Sequence, residues 1–172
     1  LGQGYQAQRT ESWPVGSVTW SLRYFADGQF SARAFEAAQV GALAVLEDAL
    51  PAYGRRHWDT AYGSSGTANA VAEVLAAAGW PAGRITRDGL DWLQDRLIKL
   101  QSADRLRLEG LKEDRRAVVG GGVSVLRAVF ELLEIEEMQA AQGALRHGAL
   151  YDLLDREHSQ TDVRSLTVDR LS

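Results

Sequence analysis

The apolar positions of the chain fall into short strand-like and helical runs separated by glycine turns. At the centre, residues 58–62 form a short apolar segment that predicts a buried strand. The turn Gly63-Ser64-Ser65-Gly66-Thr67 follows it. Ala70, Val71, Val74, Leu75 and Ala78 then recur at helical spacing. A strand, a glycine turn and a helix start together present free backbone N–H groups and a positive dipole end to an anion. Gly63 and Gly66 can reach backbone angles closed to other residues. Ser65 and Thr67 can donate hydroxyls or cap the helix. The same pattern equally describes a capped βα turn that binds nothing.

Before this centre, Tyr5 to Trp13 alternate and predict a strand near a sheet edge, with Gly2-Gln3-Gly4 as a hairpin turn. Residues 18–25 predict a short helix with Val18, Leu22 and Phe25 in register, ended by Asp27-Gly28. Ser31 is placed to cap a long helix reaching about Leu50. Phe35, Ala38, Ala42, Leu46 and Ala49 form its apolar face, and Pro51 and Gly54 stop it.

After the centre, residues 79–83 read as a loop. Thr86 reads as an N-cap with Ile85 and Leu90 as a hydrophobic staple, and Leu90, Leu93, Leu97 and Leu100 run down one face. Residues 101–114 carry many charges and read as a solvated connector. Gly120-Gly121-Gly122 read as a turn before a helix with Leu126, Val129, Phe130 and Leu133. Met138 to Ala141 predict a strand. Gly143-Ala144-Leu145-Arg146-His147-Gly148 turn into a helix with Leu150, Leu153 and Leu154, and residues 161–172 begin a further helical pattern. Alternating strands and helices imply an α/β layered sheet, and its three glycine turns can converge beyond the carboxyl ends of the strands.

Composition narrows this picture. Apolar residues make up 45% of the 172 positions, enough for a core in a domain of this size. The net charge of −4 argues against a general nucleic-acid surface, so an anionic ligand needs a local site. There is no cysteine, which excludes disulfides and thiolate metal sites. No apolar run reaches membrane-spanning length and no signal peptide is visible, so a cytoplasmic protein is expected. The start at Leu1 and the end at Ser172 suggest a piece of a longer chain.

Six ordered segments resemble the Ppx/GppA phosphatase family, the exopolyphosphatases and guanosine pentaphosphate (pppGpp) 5′-phosphohydrolases of the actin/hexokinase superfamily. They are Glu11-Ser12-Trp13-Pro14-Val15-Gly16; Ser17-Val18-Thr19-Trp20 with Tyr24-Phe25; and Gly63-Ser64-Ser65-Gly66-Thr67 against the family's G-A-S-G-T. The others are Asp114-Arg115-Arg116-Ala117-Val118 followed by Gly122-Val123-Ser124-Val125-Leu126; Gly143 to Gly148 against G-A-L-R-E-G; and Asp162-Val163-Arg164-Ser165-Leu166-Thr167 against D-V-R-S-R-T. The resemblance implies an RNase H-like α/β domain, a mixed sheet with flanking helices, truncated at its first strand. Residues 1–157 would be the second actin-like domain, and residues 158–172 the start of a C-terminal HD-like helical region.

By that resemblance the intact protein is a phosphoanhydride hydrolase, an exopolyphosphatase removing terminal phosphate from inorganic polyphosphate. The alternatives are a pppGpp 5′-phosphohydrolase and a non-catalytic phosphate- or nucleotide-binding member. Mg²⁺ is the implied cofactor, with ligands mostly outside this chain. The catalytic carboxylate lies in the absent first domain, so no catalytic residue and no metal ligand is assigned here and the isolated piece is expected to be inactive. The implied phosphate- and nucleotide-binding residues are Gly63, Ser64, Ser65, Gly66, Thr67, Arg115, Gly122 and Arg146. Arg115 also reads as a helix-end cap, and Arg146 as an anchor of its turn. His57, His147 and His158 lack metal-ligand spacing and read as surface histidines. Expected partners are polyphosphate or pppGpp, the missing N- and C-terminal domains, and a second copy in a full-length homodimer. Two departures stand out: Gly120-Gly121 before the family glycine, and His147 where the family has Glu.

Overall fold

The computed structural model describes residues 1–3 and 6–141. The predicted elements at residues 143–172, Arg146 included, lie outside the described residues. Two short strands, β1 (Gly2–Gln3) and β2 (Gln6–Ala7), pair antiparallel in the register Gly2 to Ala7 and Gln3 to Gln6. The edge strand predicted from Tyr5 to Trp13 is therefore much shorter, and Gly2-Gln3 belongs to a strand instead of the turn. The pairing extends one step further, since the Gln8 N–H donates to the Leu1 carbonyl at 2.9 Å. Beyond it Trp13 leaves the ladder and stacks edge-on against Tyr53, 5.4 Å between centroids. Burial, and then the nearby Glu11 carboxylate, push the Tyr53 phenol above its usual range.

Helix α1 (Ser17–Tyr24) lies where the sequence predicts it but turns a different face inward. Trp20 and Ser21 are buried, while Val18 and Leu22 are 52% and 71% exposed. The cause is polar. The Trp20 indole N–H donates to the Ala38 carbonyl at 2.8 Å, and Ser21 Oγ accepts from the Gly121 N–H at 3.1 Å. A buried indole needs a partner for its donor, and that bond fixes the helix rotation.

Helix α2 (Ala32–Leu46) starts at the predicted cap, where Ser31 Oγ accepts from the Ala34 N–H at 3.1 Å. Its predicted face is the buried one: Phe35, Ala38, Ala42 and Leu46, with Ala49 in the turn beyond. Pro51 does not stop the chain. It occupies the first turn of α3 (Leu50–Tyr53), where proline's missing N–H costs nothing, and Gly54 ends the run.

Strand β3 (Ala61–Gly63) is shorter than predicted and shifted toward the glycine turn. Tyr62 is half-exposed, so this is not a fully buried strand. It leads into α4 (Gly66–Ala77), whose buried residues are Ala68, Val71, Ala72, Val74 and Leu75. Of the predicted face, Ala78 falls past the helix and is exposed, and Ala70 is half-buried. A strand that the sequence did not predict, β4 (Arg84–Thr86), precedes α5 (Arg87–Leu100). Only three residues long, it leaves no alternation to read. Thr86 caps α5 as expected, accepting from the Gly89 N–H at 3.0 Å, with Ile85 and Leu90 both buried beside it.

The charged stretch after α5 is more than a solvated connector. Leu106 is fully buried, Ser102 is buried, and Leu108 and Leu111 pack against the core. Helix α6 (Val119–Leu132) leads to β5 (Glu137–Ala140), close to the predicted Met138 to Ala141. The triple glycine is not a turn ahead of α6. It is the first turn of α6 itself. The sheet order is β3-β5-β4, with β3 parallel and β4 antiparallel to β5, so the architecture is a mixed sheet with flanking helices.

Helix α6 is the central packing element, against α1 and α2 and also α4 and α5. The glycines make this possible. A Cβ on Gly121 would sit 2.5 Å from the Ser17 carbonyl oxygen and 2.5 Å from the Ser21 nitrogen, and one on Gly120 would sit 3.0 Å from the Phe30 ring. Phe25, Phe30 and Phe35 form a ring cluster with centroids 4.8 to 6.0 Å apart under that glycine. Because the obstacle at Gly121 is backbone, Gly121→Ala must push α1 away from α6. The expected loss is about 1–3 kcal/mol of unfolding free energy, the range for overpacking a tight core. The matched control is Gly16→Ala, where a Cβ meets nothing within 4 Å and the change should stay within roughly 0.5 kcal/mol. Urea denaturation of both variants checks the contrast.

Candidate functional site

The candidate site builds up from the carboxyl edge of the sheet. Because β3 and β5 are parallel, Gly63 and Ala140 lie side by side at the same edge, and the Ala141 N–H donates to the Gly63 carbonyl at 2.8 Å. Loops leaving this edge are the usual ligand-bearing loops of an α/β sheet. Gly63 is buried, and Ser64 to Thr67 are half-buried.

The glycine loop works through bareness more than through unusual angles. Gly63 and Gly66 are absent from the positive-φ residues, which among the described glycines are Gly28, Gly79, Gly83 and Gly110. A Cβ on Gly63 would meet Met138 Sδ at 2.7 Å and Ala68 Cβ at 2.8 Å. Glycine here lets β5 and α4 close around the strand end. Ser65 takes the capping option left open by its spacing: its Oγ accepts from the Ala68 N–H at 3.0 Å.

Three helix starts meet at this point. The position of a Cβ on Gly122 lies 2.5 Å from Thr67 Cγ2 and 3.4 Å from Ser17 Cβ. Thr67 is the second residue of α4, Ser17 the first of α1, and Gly122 is in the first turn of α6. The N-cap residues of α1 and α6 give no side-chain hydrogen bond, although the Gly121 N–H in the first turn of α6 donates to Ser21 Oγ. A helix start carries N–H groups outside the helix's own ladder and about half a positive charge. Bringing three together concentrates positive potential, which a phosphate group would neutralise.

Of the residues suggested by sequence, Gly63, Ser64, Ser65, Gly66 and Thr67 are contiguous here and Gly122 touches Thr67. Arg115 is half-buried in a 3-10 turn (Glu113–Arg115) just before α6, on the approach to that start. Ser17 and the start of α1 were not singled out from sequence. The signal was the Pro14-Val15-Gly16 break directly ahead of a helix. Among the described residues no group of three or more His, Asp or Glu side chains is placed to share a metal ion. The described residues do not by themselves fit a Mg²⁺ centre. No helix among the described residues is long and apolar enough to cross a membrane.

Comparison with known proteins adds three findings. The Ppx/GppA phosphatase family matches residues 1–157. A protein of Vibrio parahaemolyticus named guanosine-5′-triphosphate,3′-diphosphate pyrophosphatase is 39% identical over 168 residues, 98% of this chain and 33% of its own length. Proteins with the same name from Vibrio vulnificus and Aeromonas hydrophila are 40% and 39% identical, over 98% and 99% of this chain and 33% and 34% of their own lengths. The chain thus spans about a third of the length of these relatives.

The contact between Gly122 and Thr67 gives a direct test of the cluster. Gly122→Ala drives a methyl into Thr67 Cγ2, with an expected cost of about 1–3 kcal/mol. Thr67→Ser removes the opposing methyl and keeps the hydroxyl, so the double variant should recover at least half of the loss. Urea denaturation of the two single variants and the double variant measures the coupling. Additive losses would mean that the two residues do not touch.

Proposed function

The chain belongs to the Ppx/GppA phosphatase family, and from that premise we propose that it is the second, RNase H-like domain of a pppGpp 5′-phosphohydrolase. The observation that carries the reading is the cluster of three helix starts at Thr67. It lies in a chain whose relatives bear the name guanosine-5′-triphosphate,3′-diphosphate pyrophosphatase. These names favour pppGpp over inorganic polyphosphate, which the sequence reading put first.

In this proposal the amides of residues 63–67 and the starts of α1 and α6 hold the terminal phosphoryl group of the 5′-triphosphate. Water attacks its phosphorus, the phosphoanhydride bond breaks, and inorganic phosphate leaves guanosine tetraphosphate behind. Catalysis of this kind depends on positioning and on neutralising phosphoryl charge, and fixed N–H donors supply both without reorganising. Gly122 keeps Thr67 in place, and Arg115 and Arg146 are proposed as further phosphate or nucleotide contacts. The acid that activates water belongs to the other actin-like domain. Mg²⁺, when bound there, supplies additional charge neutralisation.

The remaining parts follow the same reading. Residues 158–172 would open an HD-like helical region, and the intact protein would be a cytoplasmic homodimer.

Activity separates the alternatives. The full-length enzyme is expected to release phosphate from pppGpp with a kcat/KM at least tenfold above that for polyphosphate, a margin within the reach of a few polar contacts. The 172-residue chain alone is expected to release none. Turnover by the isolated chain would put the catalytic acid inside it, and a preference for polyphosphate would restore the first reading.

A further inference from the structure

We propose that the cleft between Arg107 and Arg116 is a second phosphate subsite, which takes the 3′-diphosphate of a nucleotide phosphorylated at both ends. The inference rests on the hydrolase reading. The cleft has a volume of about 310 Å³ and is lined by Arg107, Leu108, Glu109, Leu111 and Arg116. It is built by the stretch whose charges suggested only a solvated connector.

Its chemistry is specific. Neither guanidinium has a carboxylate within ion-pair distance among the described residues. Arg107 donates from Nη1 to the Leu106 carbonyl at 2.8 Å, a bond that orients the group without neutralising its charge. In a chain of net charge −4, two guanidinium groups line one concavity with no ion pair among the described residues, which leaves both open to an anion. Guanidinium groups suit phosphate oxygens because their N–H donors form a planar fork. Leu108 and Leu111 supply apolar surface for a nucleoside face. Glu109 also lines the cleft and adds one negative charge.

Position supports the assignment. Gly110 holds φ +88, and a Cβ there would lie 2.8 Å from the Glu73 carbonyl oxygen, so this stretch is pressed against α4. Glu73 is six residues beyond Thr67 on α4, about 9 Å along the axis at the helical rise. At its other side, Arg116 is three residues ahead of α6, whose Gly122 abuts Thr67. A ligand with one phosphate group at Thr67 and another at the cleft must carry them at both ends of a body of nucleoside size.

The test is equilibrium binding to the metal-free full-length enzyme by calorimetry, with pppGpp, GTP and a medium-length polyphosphate. The unsubstituted enzyme should bind pppGpp roughly a hundredfold more tightly than GTP. Arg107→Ala/Arg116→Ala should erase that preference, weakening pppGpp roughly tenfold per guanidinium, as expected for charge-assisted hydrogen bonds. Its affinity for GTP should stay within about twofold, which also reports a folded site. Arg107→Lys/Arg116→Lys, retaining charge without the fork, should fall between. The subsite is overturned by an unsubstituted enzyme without the preference, by a double alanine variant that keeps it, or by an equal loss for polyphosphate. Absence of pppGpp turnover alongside an Arg107- and Arg116-dependent preference would overturn the hydrolase reading and leave the subsite standing.

Discussion

The fold depends on backbone packing against backbone at the first turn of α6. Gly120, Gly121 and Gly122 each remove a side chain where another element needs the space: the Phe25–Phe30 pair, α1 at Ser17 and Ser21, and α4 at Thr67. With no Cβ in the way, α6 lies close to α1 and beside the start of α4. Glycine in a helix costs about 1 kcal/mol relative to alanine, and three in a row weaken the helix start. That cost is offset by burial, since residues 119–124 are all buried. It is also offset by the Gly121 N–H to Ser21 Oγ bond, and by Ser124 Oγ donating to the Gly120 carbonyl at 2.8 Å.

The same constraint shapes the proposed phosphate site. Helix starts repel one another, because each ends in a partial positive charge. Holding three of them around Thr67 is therefore electrostatically unfavourable in the absence of an anion. A phosphate group removes the penalty, and the bare loop at Gly63 brings β5 and α4 close enough for the amides to converge. In the proposed reading, a globally acidic chain binds a polyanion through a local concentration of backbone dipoles, and Arg107 and Arg116, in the stretch between α5 and α6, add cationic groups.

Much of the fold was legible in sequence where a side chain determines the local outcome. Ser31, Ser65 and Thr86 cap the helices they precede, because a short hydroxyl side chain matches an orphan N–H at that spacing. The α2 face from Phe35 to Leu46 followed from its period. Tertiary hydrogen bonds were illegible. Val18 and Leu22 looked like a core face, yet the Trp20 bond to the Ala38 carbonyl turned them outward. Pro51 looked like a stop and proved to be a helix start. The glycine loop was legible as a candidate phosphate site from its strand–turn–helix order. Its contact with Gly122 was not, because close approach leaves only an absence of side chains in the sequence. The cleft at Arg107 and Arg116 was hidden for a related reason: a charged run looks solvated until Leu106 and its neighbouring leucines anchor it.

The central claim, that convergent helix starts at Thr67 form a phosphate site, is tested most directly by amide chemical-shift mapping of the ¹⁵N-labelled chain titrated with pyrophosphate. The account predicts saturable shifts concentrated at the amides of residues 64–68 and in the first turns of α1 and α6. Gly122→Ala should weaken the titration. Saturable shifts confined to β4 and α5, with residues 64–68 unmoved, would contradict it.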